Sequence, residues 1–112
     1  GDMLGAASLG LHVLQMSGQS EIDEMLNLVT TRAARTLGIE DRYGIEEGKP
    51  ASLVIFDAKT PFDTLRLNPA RLHVIKDGRT VAATEPARTT LRREGGRSET
   101  VTFSSDVTEE RP

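Results

Sequence analysis

The 112 residues contain no cysteine, so disulfide frameworks and thiolate metal sites are excluded. Tryptophan is absent too, and one Tyr and three Phe are the whole aromatic content. A core must therefore rest on Leu, Val, Ile, Met and Ala. No sign of charge dominates: 14 basic residues stand against 17 acidic ones, a net charge of -3. That leaves no electrostatic footprint for nucleic acid. The longest apolar run, Met3 to Met16, falls short of the ~20 residues of a membrane helix, and Ser8, His12 and Gln15 interrupt it. The opening Gly1-Asp2-Met3-Leu4 has no basic segment of the signal-peptide kind. These absences set the expectation of a soluble, cytoplasmic chain with no nucleic-acid partner and no membrane partner.

What is there has the balance of a folded domain, 37% hydrophobic and 28% charged, in a length that suits one small domain. Asp2 predicts a helix cap, with a helix running to about Ser17. Met3, Leu4, Ala6, Ala7, Leu9, Leu11, Val13, Leu14 and Met16 cover most of its surface. Only Ser8, His12 and Gln15 make a polar stripe. A helix so apolar all round asks for cover on several sides. Gly18 is expected to end this segment. A second helix is expected from a Ser20 cap to Gly38, with Asp23 in a capping-box-like position. Its apolar face is Ile22, Met25, Leu26, Val29, Ala33 and Leu37.

After Gly38 the pattern changes. Ser52 to Asp57 is a short continuous apolar run that predicts a buried strand. Lys59 to Pro69 predicts a connection with one helical turn around Phe62 to Leu65. Asp77-Gly78, between Leu72–Lys76 and Arg79–Ala83, predicts a two-residue hairpin. Thr89 to Arg93 predicts a further strand. Ser98 to Pro112 reads as a strand-prone stub (Val101, Phe103) and a loose tail.

A search for chemistry returns little. His12 and His73 lie on different elements, without a second His or a carboxylate at ligand spacing. A catalytic zinc takes about three protein ligands, so neither His is assigned as one. The glycines of Gly5 to Gly10 have phosphate-loop spacing, but Leu11 and His12 follow where Lys and Ser or Thr are required. Close helix packing explains them better. Asp23, Glu24, Glu40, Asp41, Glu46 and Glu47 read as helix-start and loop acids. Arg88, Arg92, Arg93 and Arg97 lack the interleaved aromatics of a nucleic-acid surface. No catalytic, cofactor-binding or metal-ligating residue is assigned.

Several segments carry a resemblance. Gly48-Lys49-Pro50-Ala51 followed by Leu53-Val54-Ile55-Phe56-Asp57 resembles a strand segment of amidohydrolase-superfamily enzymes. Val29 to Gly38, Tyr43-Gly44-Ile45 and the hairpin Val74 to Val81 fit the same pattern. Gly1 to Leu4, Gly10 to Gln15 and Thr84 to Leu91 are similar to the carboxy-terminal part of bacterial cytosine deaminases. The resemblance covers about Gly1 to Arg93. Ser52 departs from it, where the superfamily usually has Asp.

The resemblance implies an α/β chain: the last helices of a (β/α)8 amidohydrolase barrel, then strands of the flanking β-sandwich, with the barrel incomplete. On that expectation residues 1–50 are terminal barrel helices and a connecting loop, 51–95 a sandwich segment, and 96–112 a polar tail. The complete enzyme would hold a divalent metal, iron or zinc, that activates water for attack on the ring carbon bearing an amino group. All those ligands would lie upstream of Gly1, leaving a structural segment, inactive alone and without a cofactor. Expected partners are the remainder of the enzyme or further copies of the chain, in a homo-oligomer. Two alternatives stay open: a non-catalytic helix-plus-sheet interaction module, and an amidohydrolase of another substrate class.

Overall fold

The computed structural model describes residues 1–101 and 108–110. It is a mixed α/β structure in which helices precede strands. The order is α1 (Met3–Val13), α2 (Gln19–Val29), α3 (Thr31–Thr36), β1 (Leu53–Phe56), α4 (Pro61–Leu67), β2 (Arg71–Lys76), β3 (Arg79–Ala83), β4 (Thr89–Arg92), β5 (Ser98–Val101) and β6 (Thr108–Glu110). The strands make two antiparallel three-stranded sheets, β1-β2-β3 and β4-β5-β6. The strand-prone stub is thus β5, while Phe103 and most of the expected tail lie outside the described residues.

Asp2 caps α1 as the sequence predicts, its Oδ1 accepting the Gly5 amide at 3.0 Å. The helix ends earlier than expected, before Gly18. Gln15 turns left-handed at φ 54°, while the Met16 amide donates to the Leu11 carbonyl at 3.0 Å and the Gln15 amide to the His12 carbonyl. This is a Schellman closure, and Met16 and Leu11 are its usual apolar pair. Gly38, at φ 67°, closes α3 in the same way, with Ile39 donating to the Ala34 carbonyl.

The helix expected from Ser20 to Gly38 starts and continues differently. Its cap is Gly18, whose amide donates to Glu21 Oε2 at 2.9 Å, so Ser20 lies inside the first turn. The helix then breaks at Thr30, which sits at φ -120°, ψ -94°. Thr30 Oγ1 donates back to the Leu26 carbonyl at 2.6 Å, a bond that competes with the helical ladder. Val29, Thr30 and Thr31 are also three consecutive β-branched residues, which lowers the cost of interruption.

The core is helical. Ala7, Leu11, Ile22, Met25 and Leu65 form it, with Leu4, Met16, Leu26, Val29 and Phe62 packed around them. Leu65 on α4 is the most deeply buried, at 0% exposure. The single turn expected there is a seven-residue helix that completes the core. Thr60 caps it, Pro61 occupies its first position, and Asn68 stops it in the left-handed region.

The first sheet lies outside this core. β1, expected to be buried, leaves Val54 40% and Ile55 43% exposed, because the three helices close on one another and not on the strand. β2 and β3 form the expected hairpin, with Lys76 paired to Arg79. Asp77 and Gly78 both have positive φ, 48° and 77°.

Candidate functional site

Between the helices and the first sheet runs an open cleft of about 730 Å³. Leu4, Leu26 and Val29 bound it on the helical side, and Leu53, Val54, Phe56 and Ile75 on the sheet side. Asp2 and Arg71 reach across its edge. Asp2 Oδ1 pairs with the Arg71 guanidinium on β2, and Arg71 in turn lies over the Phe56 ring, 5.6 Å from its centroid. The Gly5 amide bond, ahead of the Arg71 hydrogen bond and charge, holds the Asp2 carboxyl below the ordinary carboxylate range. Asp2 is therefore a cap and a tie, a role that its place at a helix start foreshadows in part.

The two histidines fall as the sequence reading has them, on separate elements. His12 is on α1, its Nδ1–H donating to the Ser8 carbonyl at 2.6 Å. His73 is on the exposed side of β2, opposite Ile55 and Ala83. Among the described residues no group of three His, Cys, Asp or Glu could hold a metal ion. Gly5 and Gly10 both lie inside α1. A Cβ on Gly5 would lie 2.8 Å from the Asp2 carboxylate, and one on Gly10 would touch Met25. Of the basic stretch, Arg93 pairs with Glu99 at 3.0 Å across the β4–β5 hairpin. No helix of the described residues is long and apolar enough to cross a membrane.

Three features escape the sequence reading. Asp57, at the end of β1, is 5% exposed, and its Oδ1 has no partner among the described residues. Lys49 gathers the loop before β1 around its ammonium group. Ser52 Oγ accepts the Asp77 amide at 3.1 Å and donates to Asp77 Oδ1 at 3.3 Å. Long-range partners of this kind leave no periodic signal.

Comparison with known proteins supplies the context of this cleft. A model of the amidohydrolase family matches residues 1–82. N-isopropylammelide isopropyl amidohydrolase of Pseudomonas sp. (strain ADP) is 35% identical over 85 residues, which are 76% of this chain and 21% of that protein. Crystal structures of 5-methylcytosine deaminase from Klebsiella pneumoniae are similar in fold and sequence. The form liganded with phosphonocytosine gives a TM-score of 0.67 at 34% identity, over 74% of this chain and 20% of that one. The form liganded with 5-fluorocytosine gives 0.68 at 34%, over 76% and 21%. The chain thus spans about a fifth of the length of the relatives it matches.

Proposed function

The chain belongs to the amidohydrolase family, and from that premise we propose that it is the structural carboxy-terminal portion of a metal-dependent hydrolase acting on a cytosine-type ring. The observation that supports this reading is the agreement of sequence and fold over 76% of the chain, at 34% identity and a TM-score of 0.68. The family match over residues 1–82 takes in the helical core and most of the hairpin. In the complete enzyme a divalent metal, iron or zinc, would supply the activated water, held by residues outside this chain. The donor set here does not fit such a group, since the described residues bring no three ligands together. Residues 1–82 would instead close and brace the catalytic body, with α1 and α2 as terminal barrel helices and β1 to β3 as part of a flanking sheet.

A second reading stays within the family. The similarity to N-isopropylammelide isopropyl amidohydrolase favours a ring carrying another amine substituent. The decisive experiment expresses the complete reading frame with zinc or iron and measures release of ammonia from cytosine and 5-methylcytosine, and of amine from N-isopropylammelide. Ammonia from a cytosine-type ring supports the first reading, and amine from N-isopropylammelide alone the second. Release from none of them removes both, leaving an amidohydrolase of another substrate class or an interaction module. The 112-residue chain by itself is expected to bind no stoichiometric zinc or iron and to release nothing.

A further inference from the structure

The loop from Ile39 to Pro50 joins α3 to β1 without regular structure, yet one side chain organises it. Lys49 Nζ donates to the Tyr43 carbonyl at 2.8 Å and to the Glu40 carbonyl at 3.1 Å, and pairs with Glu46 Oε2 at 3.3 Å. Two of the three ammonium donors are met by backbone carbonyls, and the Glu46 carboxylate adds an ion pair. The Lys49 side chain is only 20% exposed. The planar fork of an Arg, with its donors spread over separate nitrogens, does not match acceptors that converge on one atom.

Arg35 on α3 also holds the start of the loop, its Nε donating to Glu40 Oε1 at 2.8 Å. The loop's backbone bonds are single turns: Arg42 to Ile39, Tyr43 to Glu40 and Lys49 to Glu46. Gly44 at φ 108° and Gly48 at φ 85° flank Ile45-Glu46-Glu47, and Ile45 is 88% exposed. Tyr43, Gly44 and Ile45 wall the cleft between helices and sheet. Gly44 to Glu47 and Lys49 border a second cavity of about 390 Å³ against Ala51 to Leu53.

We propose that Lys49 is an ammonium latch that holds the Ile39–Pro50 strap as one wall of the cleft, and that releasing it lets Ile45-Glu46-Glu47 swing about Gly44 and Gly48 and open the cleft. The latch depends on geometry within the loop and not on the catalytic activity of the complete enzyme.

Amide hydrogen exchange on the full chain tests this with Lys49→Met, Lys49→Arg and Glu46→Gln. In Lys49→Met the amides of Arg42 and Tyr43 exchange about tenfold faster or more, while those of Ile22 and Met25 in α2 keep their rates. Lys49→Arg restores only part of the protection. Glu46→Gln has a smaller effect than Lys49→Met, because both carbonyl bonds remain. Unchanged strap exchange in Lys49→Met overturns the latch. So does an acceleration shared equally by α2, which reports general loosening. If Lys49→Met does not fold, the wild-type chain decides. Hydrogens on Lys49 Nζ that exchange more slowly than those on exposed Lys59 support the latch, and equal rates overturn it.

Discussion

The hydroxyl of Ser52 and the carboxylate of Asp77, twenty-five residues apart, bind each other at the tip of the β2–β3 hairpin. The Gly78 amide adds a 2.8 Å bond to the Ala51 carbonyl, so the tip is fastened to the residues that lead into β1. Family resemblance places Asp at position 52, and here Asp77 explains the departure. Two carboxylates at this spacing repel each other, whereas a hydroxyl donates to one oxygen and accepts from the amide. Ser52→Asp is expected to lower stability by about 1 kcal/mol in chemical denaturation. The double variant Ser52→Asp/Asp77→Asn should recover most of the loss. Equal losses in the single and double variants would remove the like-charge explanation.

Gly78 at φ 77° has no heavy atom within 4 Å of where a Cβ would stand. Any cost of Gly78→Ala is therefore backbone strain and not a clash. The expected loss is about 1 kcal/mol or more. A denaturation midpoint equal to that of the wild type would contradict the left-handed turn.

The hairpin was legible because Asp-Gly between two apolar runs has few other uses. Gly38 was legible for the same reason, as a residue free to turn left-handed. The faces of α1 were not. With only Ser8, His12 and Gln15 to mark a polar side, the pattern cannot fix the helix orientation. Ser8 is in fact buried at 8%, while Leu9 and Val13 stand 66% and 69% exposed. The break at Thr30 was hidden because three β-branched residues inside an apolar period do not announce a side-chain bond to the preceding turn. The weight of Leu65 was hidden in a segment read as a connection. Lys49, Asp57 and Ser52 act through partners that only the folded chain brings near.

The tie between Asp2 and Arg71 has a pH signature. The folded state lowers the Asp2 pKa, so as pH falls the unfolded state takes up its proton first. The stabilising contribution is complete above the ordinary carboxylate range and is lost as pH drops through the lowered folded value. Asp2→Asn keeps a competent cap and removes the charge. The Tm gap between wild type and Asp2→Asn should therefore be present at pH 6 and close in strong acid. A gap that is independent of pH would show that the charge does not act.

The outer face of α1 leads to the last prediction. Met3, Leu9, Val13 and Leu14 are 58%, 66%, 69% and 65% exposed, and Leu9 and Val13, one turn apart, share a side of the helix. Covering each such side chain is worth roughly 1.5–3 kcal/mol. Together they rival the whole stability of a small domain, about 5–15 kcal/mol. The radius of gyration points the same way, at 17.6 Å against the ~13 Å of a compact domain of this length. A chain that leaves these groups in water is expected to seek cover, from the rest of a complete enzyme or, when isolated, from its own copies. Light scattering on the purified chain should show association that grows with concentration. Leu9→Lys/Val13→Lys should abolish it while circular dichroism keeps the helical signal, since neither residue belongs to the core. A wild-type chain that stays monomeric at high concentration would refute this, and so would association that the double variant leaves untouched.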